Sequence, residues 1–265
     1  MATLREPAVA GLFYPADRDE LHDAVTALLG TAMDSPRDAG PPPKALIVPH
    51  AGYVYSGPVA ATAYRLLGPV RERIRRVVLL GPAHRVAFPG LAATRATRFR
   101  TPLGDVPVDT ETVTALLELP QVRLLDEAHA MEHSLEVHLP FLQEALAEFE
   151  VVPLVVGDAS PEEVGAVLEK SWGGDETLIV ISSDLSHYHD YDTARRLDAA
   201  TSAAIADLAP ERIAYDHACG RNPINGLLHV ARTRGLACET LDVRNSGDTA
   251  GSRDHVVGYG AYAFH

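Results

Sequence analysis

Cysteine is scarce: Cys219 and Cys238 are the only two in 265 residues. Two thiols so spaced form neither a disulfide framework nor a CxxC motif, so a reducing compartment fits. Basic residues are in deficit, 23 Lys and Arg against 36 Asp and Glu, for a formal net charge of −13. A diffuse negative field repels phosphate backbones and anionic lipid, which argues against nucleic-acid and membrane partners. No apolar run approaches the length of a bilayer span. The opening residues, Met1 to Gly11, are interrupted by Arg5, Glu6 and Pro7 and lack the apolar stretch of a signal peptide. The expected location is the cytoplasm. A P-loop, a GxGxxG fingerprint and a GxSxG elbow are missing too, and neither cysteine stands in an obvious nucleophile context.

What is present is apolar material, 46% of residues, enough for a sizeable core. Four short runs rich in Val, Ile and Leu read as strands covered on both faces: Ala45–Pro49, Val77–Leu80, Val151–Val156 and Leu178–Ile181. Between them lie helix signals. Ser160-Pro161-Glu162-Glu163 combines an N-cap serine, a proline at the first helical position and a capping-box glutamate. Asp17 and Glu20 open another helix, with Gly30 as its expected stop. Further helices are expected at Asp192–Leu208 and Pro223–Arg234, a hairpin within Thr94–Asp109, and a last strand at His255–Phe264. The proline-rich stretch Asp34–Pro43 reads as an exposed loop too short to divide domains. The fold class expected is α/β: a single three-layer α/β/α domain over residues 1–265, around a largely parallel or mixed sheet.

The histidines carry the chemistry. His50 follows the first apolar run, His84 the second, and Asp184 with His187 the fourth. Ligands in open α/β sheets sit beyond the carboxyl ends of strands, so these groups are expected along one rim. Imidazole suits iron, copper and zinc, and a nearby carboxylate would complete a two-histidine, one-carboxylate set or fix an imidazole tautomer. A neutral histidine also moves protons, a role given to His187 with Asp184. In Glu132-His133-Ser134-Leu135-Glu136, His133 and Glu136 would share a helix face, either as the polar first turn of a helix or as pocket groups. Arg221, in Cys219-Gly220-Arg221, either holds an anionic substrate group or belongs to a helix entrance beside a small buried thiol.

These pieces in order resemble the Memo family, whose prokaryotic members are called AmmeMemoRadiSam system protein B. The matching segments are Pro49-His50-Ala51-Gly52-Tyr53, Gly81-Pro82-Ala83-His84, Glu132 to Glu136 with His138-Leu139-Pro140, Ser182-Ser183-Asp184 with His187, Cys219-Gly220-Arg221, Asn245 to Asp248 and Val256 to Tyr259. The resemblance implies a fold shared with class III extradiol dioxygenases, which hold non-haem iron on two histidines and a carboxylate. It carries the two metal histidines onto His50 and His84, and further pocket groups onto Asp184 and His187. In animal members the third metal ligand is a cysteine, and the position matched to it is Thr249, which supplies no thiolate. Asp248 beside it is then the candidate third ligand, Asp184 the other donor, and an incomplete site the remaining outcome. Tyr53, His133 and Arg221 are taken as substrate contacts.

The cofactor expected is a divalent metal ion, iron first, copper or zinc otherwise. The ligand expected is a small molecule or peptide. The resemblance adds radical-SAM and AMMECR-type proteins as partners in a modification pathway. The functions left open are a metal-dependent, dioxygenase-like oxidoreductase, a metal-binding partner protein without turnover, and a binding module that only kept the fold.

Overall fold

The structure, a computed structural model, describes residues 3–33 and 40–265. Its elements are β1 (Leu4–Arg5), α1 (Arg18–Met33), β2 (Ala45–Val48), α2 (Tyr53–Tyr64), β3 (Arg76–Pro82), β4 (Leu91–Ala93), β5 (Arg98–Thr101), β6 (Gly104–Pro107), α3 (Thr110–Leu116), β7 (Val122–Leu124), α4 (Asp126–Ala130), α5 (Leu139–Ala145), β8 (Glu150–Val156), α6 (Pro161–Lys170), β9 (Thr177–Ser182), β10 (His187–His189), α7 (Tyr191–Ala206), α8 (Arg221–Arg234), β11 (Cys238–Asn245) and β12 (Val256–Phe264).

The main sheet runs β10-β12-β2-β9-β3-β8-β4-β7, with β11 also on β12. Its centre, β2-β9-β3-β8, is parallel. β12 is antiparallel to β2, β10 and β11, and β4 to β8. All residues of β2 and β9 are buried, which is why these strands read as unbroken apolar runs. α1, α2 and α5 pack on one another, with α2 reaching β2 and β12. α6 and α8 pack together, with α8 on β3 and β9, and α7 covers β11 and β12. The architecture is the expected α/β/α layering. No helix among the described residues is long and apolar enough to cross a membrane.

The four apolar runs are β2, β3, β8 and β9, and the hairpin is β5–β6. That hairpin joins β1 in a separate three-stranded sheet. The Ser160–Glu163 capping box forms as read. Two expectations change. Gly30 does not stop α1, which continues to Met33; nothing crowds Gly30, and a lone glycine on a helix is tolerated at modest cost. His133 and Glu136 do not share a helix face: the segment is a turn, then a single 3-10 turn at Glu136–His138, and the α-helix begins at Leu139. Pro140 favours that start, since a helix accepts proline only in its first turn. The loop expected at Asp34–Pro43 lies largely outside the described residues.

Candidate metal centre

Because β2, β9 and β3 are parallel neighbours, their carboxyl ends share one edge. His50 lies just beyond β2, Asp184 beyond β9 and His84 beyond β3. The imidazoles of His50 and His84 stand near-perpendicular with centroids 5.1 Å apart. A third ring joins them: His133 lies 5.4 Å from His50 and stacks on His84 at 4.7 Å. One nitrogen from each of the three falls within 4.8 Å of the others. Among the described residues this is the one group of three or more His, Cys, Asp or Glu side chains placed to hold an ion.

Hydrogen bonds set the state of two of these rings. Ser182 Oγ gives its proton to the Ser134 carbonyl (2.6 Å) and lies 2.6 Å from His50 Nδ1. The hydroxyl therefore accepts from His50 Nδ1–H, and Nε2 keeps its lone pair. His84 Nδ1 lies 2.8 Å from Glu132 Oε1, which can only accept, so the His84 lone pair is also on Nε2. Burial, then the charges of His84, His133 and other histidines, push His50 well below its ordinary value. Burial and the His84 charge lower His133 to about 4. Both rings are neutral at physiological pH, the form that ligates metal. The fit to an ion is good: the Cys219 thiol stands 3.3 Å from His50 Nε2, and the buried His133 Nδ1, 3.4 Å from Glu132 Oε1, makes no hydrogen bond.

The other predicted residues fall as follows. Asp184 is buried and accepts from the His50 backbone N–H (2.8 Å), so it anchors the loop that carries His50 and does not touch the His187 imidazole. Burial raises its carboxyl to about 7, against the pull of the backbone N–H groups of His50 and Ala51. His187 is half-buried within electrostatic reach of His84 and His50. Its Nδ1 is fixed on the Leu185 carbonyl at 2.8 Å, and burial keeps it below its ordinary value. Tyr53 points into the core, not the pocket: its hydroxyl donates to the Val137 carbonyl (2.6 Å) and its ring packs on Tyr14 and Phe141. Asp248 is not in the imidazole cluster. Its carboxylate accepts from the Asn245 backbone N–H and the Tyr191 hydroxyl, capping a short turn as aspartate often does. Thr249 turns its hydroxyl to the Ser246 carbonyl.

The sulfur beside the imidazoles belongs to Cys219, whereas the expectation placed the cysteine-matched position at Thr249. Burial and the Asp184 charge push that thiol up, so it stays protonated in the metal-free site. The sequence reading singled out the Cys219 segment but treated the thiol as filler. Glu136 is also structural. It is fully buried and accepts from Arg5, the backbone of Ala8 and Val9, and the Tyr14 hydroxyl, tying the β1 region to the His133 loop.

Beside the imidazoles opens a cleft of about 600 Å³ whose wall includes His84, Phe88, Tyr215, Cys219, Arg221 and Asn222. Arg221 is braced there, Nε on the Ile213 carbonyl (2.9 Å) and one terminal nitrogen on Asn222 Oδ1 (3.4 Å). A larger hollow of about 910 Å³ lies by Arg75 and Glu150, at the opposite ends of β3 and β8, and contains none of these groups.

The Memo-like protein family model matches residues 5–263. The chain belongs to the Memo family. Relatives named MEMO1 family protein include one from Aquifex aeolicus, 37% identical over 97% of this chain and 97% of its own length. Others come from Ignicoccus hospitalis (35%, 98% of each chain) and Aeropyrum pernix (37%, 97% of this chain and 98% of the relative). A solved structure of an uncharacterized protein, JW3007 from Escherichia coli K12, aligns at TM-score 0.53 and 17% identity over 81% of this chain and 98% of its own, a likeness of fold alone.

Proposed function

We propose that this Memo-family protein holds a divalent transition-metal ion on His50, His84 and His133 and acts as a metal-dependent oxidoreductase on a small molecule in the adjoining cleft. The observation that carries this is the convergence of three imidazole nitrogens within 4.8 Å, two of them on rings whose tautomers are fixed by hydrogen bonds. Neutral imidazole suits iron, copper and zinc, and a thiolate moves the preference toward softer ions. We infer that Cys219, not Asp248, is the added donor, losing its proton when an ion binds beside His50 Nε2. Iron remains the first expectation, copper and zinc the alternatives.

A bound redox ion would supply one-electron chemistry and Lewis acidity. The chain's own residues would do the rest. Arg221, braced in the cleft wall, is placed to hold an anionic end of the substrate. His187, with Nδ1–H committed to Leu185, offers Nε2 as a proton acceptor at neutral pH. Asp184 keeps the His50 loop in register with β9.

The test is metal analysis of protein purified without added metal, then oxygen uptake with a panel of catechols. Stoichiometric iron or copper together with uptake is expected. A stoichiometric ion without uptake would sink the oxidoreductase reading and favour a partner protein, among radical-SAM and AMMECR-type candidates. No ion after reconstitution would leave only a binding module.

A further inference from the structure

Glu132 is 2% exposed, and the His84 ring is only one of the groups its carboxylate holds. Its four hydrogen bonds all come from N–H groups. Oε2 accepts from the His84 backbone (2.7 Å). Oε1 accepts from His84 Nδ1 (2.8 Å) and from the backbones of His133 and Ser134 (3.0 Å each). No acceptor takes part in these four bonds, and the one further ring nitrogen near Oε1 is His133 Nδ1 at 3.4 Å. His84 is gripped twice, by backbone and by ring, while His133 is gripped by its backbone. The guanidinium of Arg5 donates to the Glu132 carbonyl (2.6 Å), pinning the turn from behind.

We propose that Glu132 is the positioning carboxylate of the centre: it locks His84 in the Nδ1–H tautomer and sets the His133 turn, so that both imidazoles serve one ion. The proposal rests on the metal reading for the ion and on geometry alone for the lock. It also answers which carboxylate serves the site. The charge that would balance a cation lies behind His84, one hydrogen bond from its ring, and neither Asp248 nor Asp184 is required as a ligand. A carboxylate behind a ligating imidazole raises its basicity and fixes its direction, and losing such a partner weakens metal binding roughly 10–100-fold.

Glu132→Gln keeps the size but turns an amide NH₂ toward N–H donors. Two measurements on whole protein decide the matter. The first is the ¹⁵N spectrum of histidine-labelled, metal-free protein. The parent should show His84 protonated at Nδ1, and Glu132→Gln should show a mixture of tautomers; a parent ring protonated at Nε2 overturns the proposal with no variant needed. The second is Co(II) titration, with thermal unfolding to confirm the fold. Glu132→Gln should bind Co(II) roughly 10–100-fold more weakly, while the same change in a His84→Ala background should cost less than about twofold, because the group it acts through is gone. Equal losses in both backgrounds would reduce Glu132 to a scaffold residue and overturn the assignment, as would an unchanged affinity. Should Glu132→Gln not fold, Glu132→Asp replaces it in the same comparison. A parent protein that binds no Co(II) overturns the metal reading, and the tautomer spectrum still decides whether Glu132 locks His84.

Discussion

Replacing His50 or His84 by alanine removes a proposed ligand and strands a buried partner: the Ser182 hydroxyl behind His50, the Glu132 carboxylate behind His84. Both variants should lose most of the bound ion, and each should lose about 1–3 kcal/mol, the usual penalty for leaving a buried polar group without its partner. Metal-to-protein ratios by mass spectrometry check the first claim and urea titrations the second; unchanged ratios in both variants would end the metal reading. The sequence made His50, His84 and Asp184 visible because each follows an apolar run, and strand ends are where α/β folds place polar groups. His133 and Cys219 reach the centre on irregular loops, whose paths leave no periodic trace. A carboxylate in a Ser-Gly-Asp turn reads equally well as a cap or a ligand, and in the fold the Asp248 carboxylate accepts from the backbone N–H of Asn245.

The elements around the site meet at van der Waals limits, and one such junction lies where α8 begins. A methyl group on Gly220 would lie 2.5 Å from the Ser182 carbonyl oxygen and 2.5 Å from Ser183 Cβ, so the end of β9 and the start of α8 leave room only for glycine. Gly220→Ala should cost about 1–3 kcal/mol as an overpacked contact. It should also weaken metal loading, because Cys219 is carried on the displaced backbone. A urea midpoint and metal content both equal to the parent's would show that this junction is looser than described. β2, β3, β8 and β9 were legible almost to the residue, since strands buried on both faces leave long apolar runs. β4, β7 and β10 have three residues each, too few to show a period. α2 escaped notice because Pro58 sits inside it and a proline normally ends a helical reading.

Across the whole molecule the histidines make stability depend on pH. Burial holds His129 at about 4 and His138 at about 3, so both are neutral in the folded state and take up protons near 6.5 once unfolded. Between those limits the unfolded chain binds more protons, and stability falls as pH falls. His133, lowered to about 4, acts in the same direction. Glu132 adds to it below its ordinary 4.5: burial opposes its ionisation, but the His84 contacts outweigh that and hold it near 2. Asp184 opposes the trend, since its carboxyl, raised to about 7, takes up its proton in the fold before an unfolded aspartate would. The histidines outnumber it, so the urea midpoint of metal-free protein should drop steadily from about pH 6.5 to pH 4. A midpoint that holds or rises on acidification would contradict the buried, neutral histidines. The strand order carries one more consequence, for biosynthesis. The strands leading to His50 and His84 are not neighbours; β9, made much later, lies between them, and the edge of β2 away from β9 is covered only by β12. On the ribosome, the first two imidazoles must wait for the wedge that spaces them, so a nascent chain has no finished cradle to offer a passing ion. Capture of the proposed ion would thereby be deferred until translation has delivered β9, and a stalled or truncated polypeptide would be spared from scavenging metal.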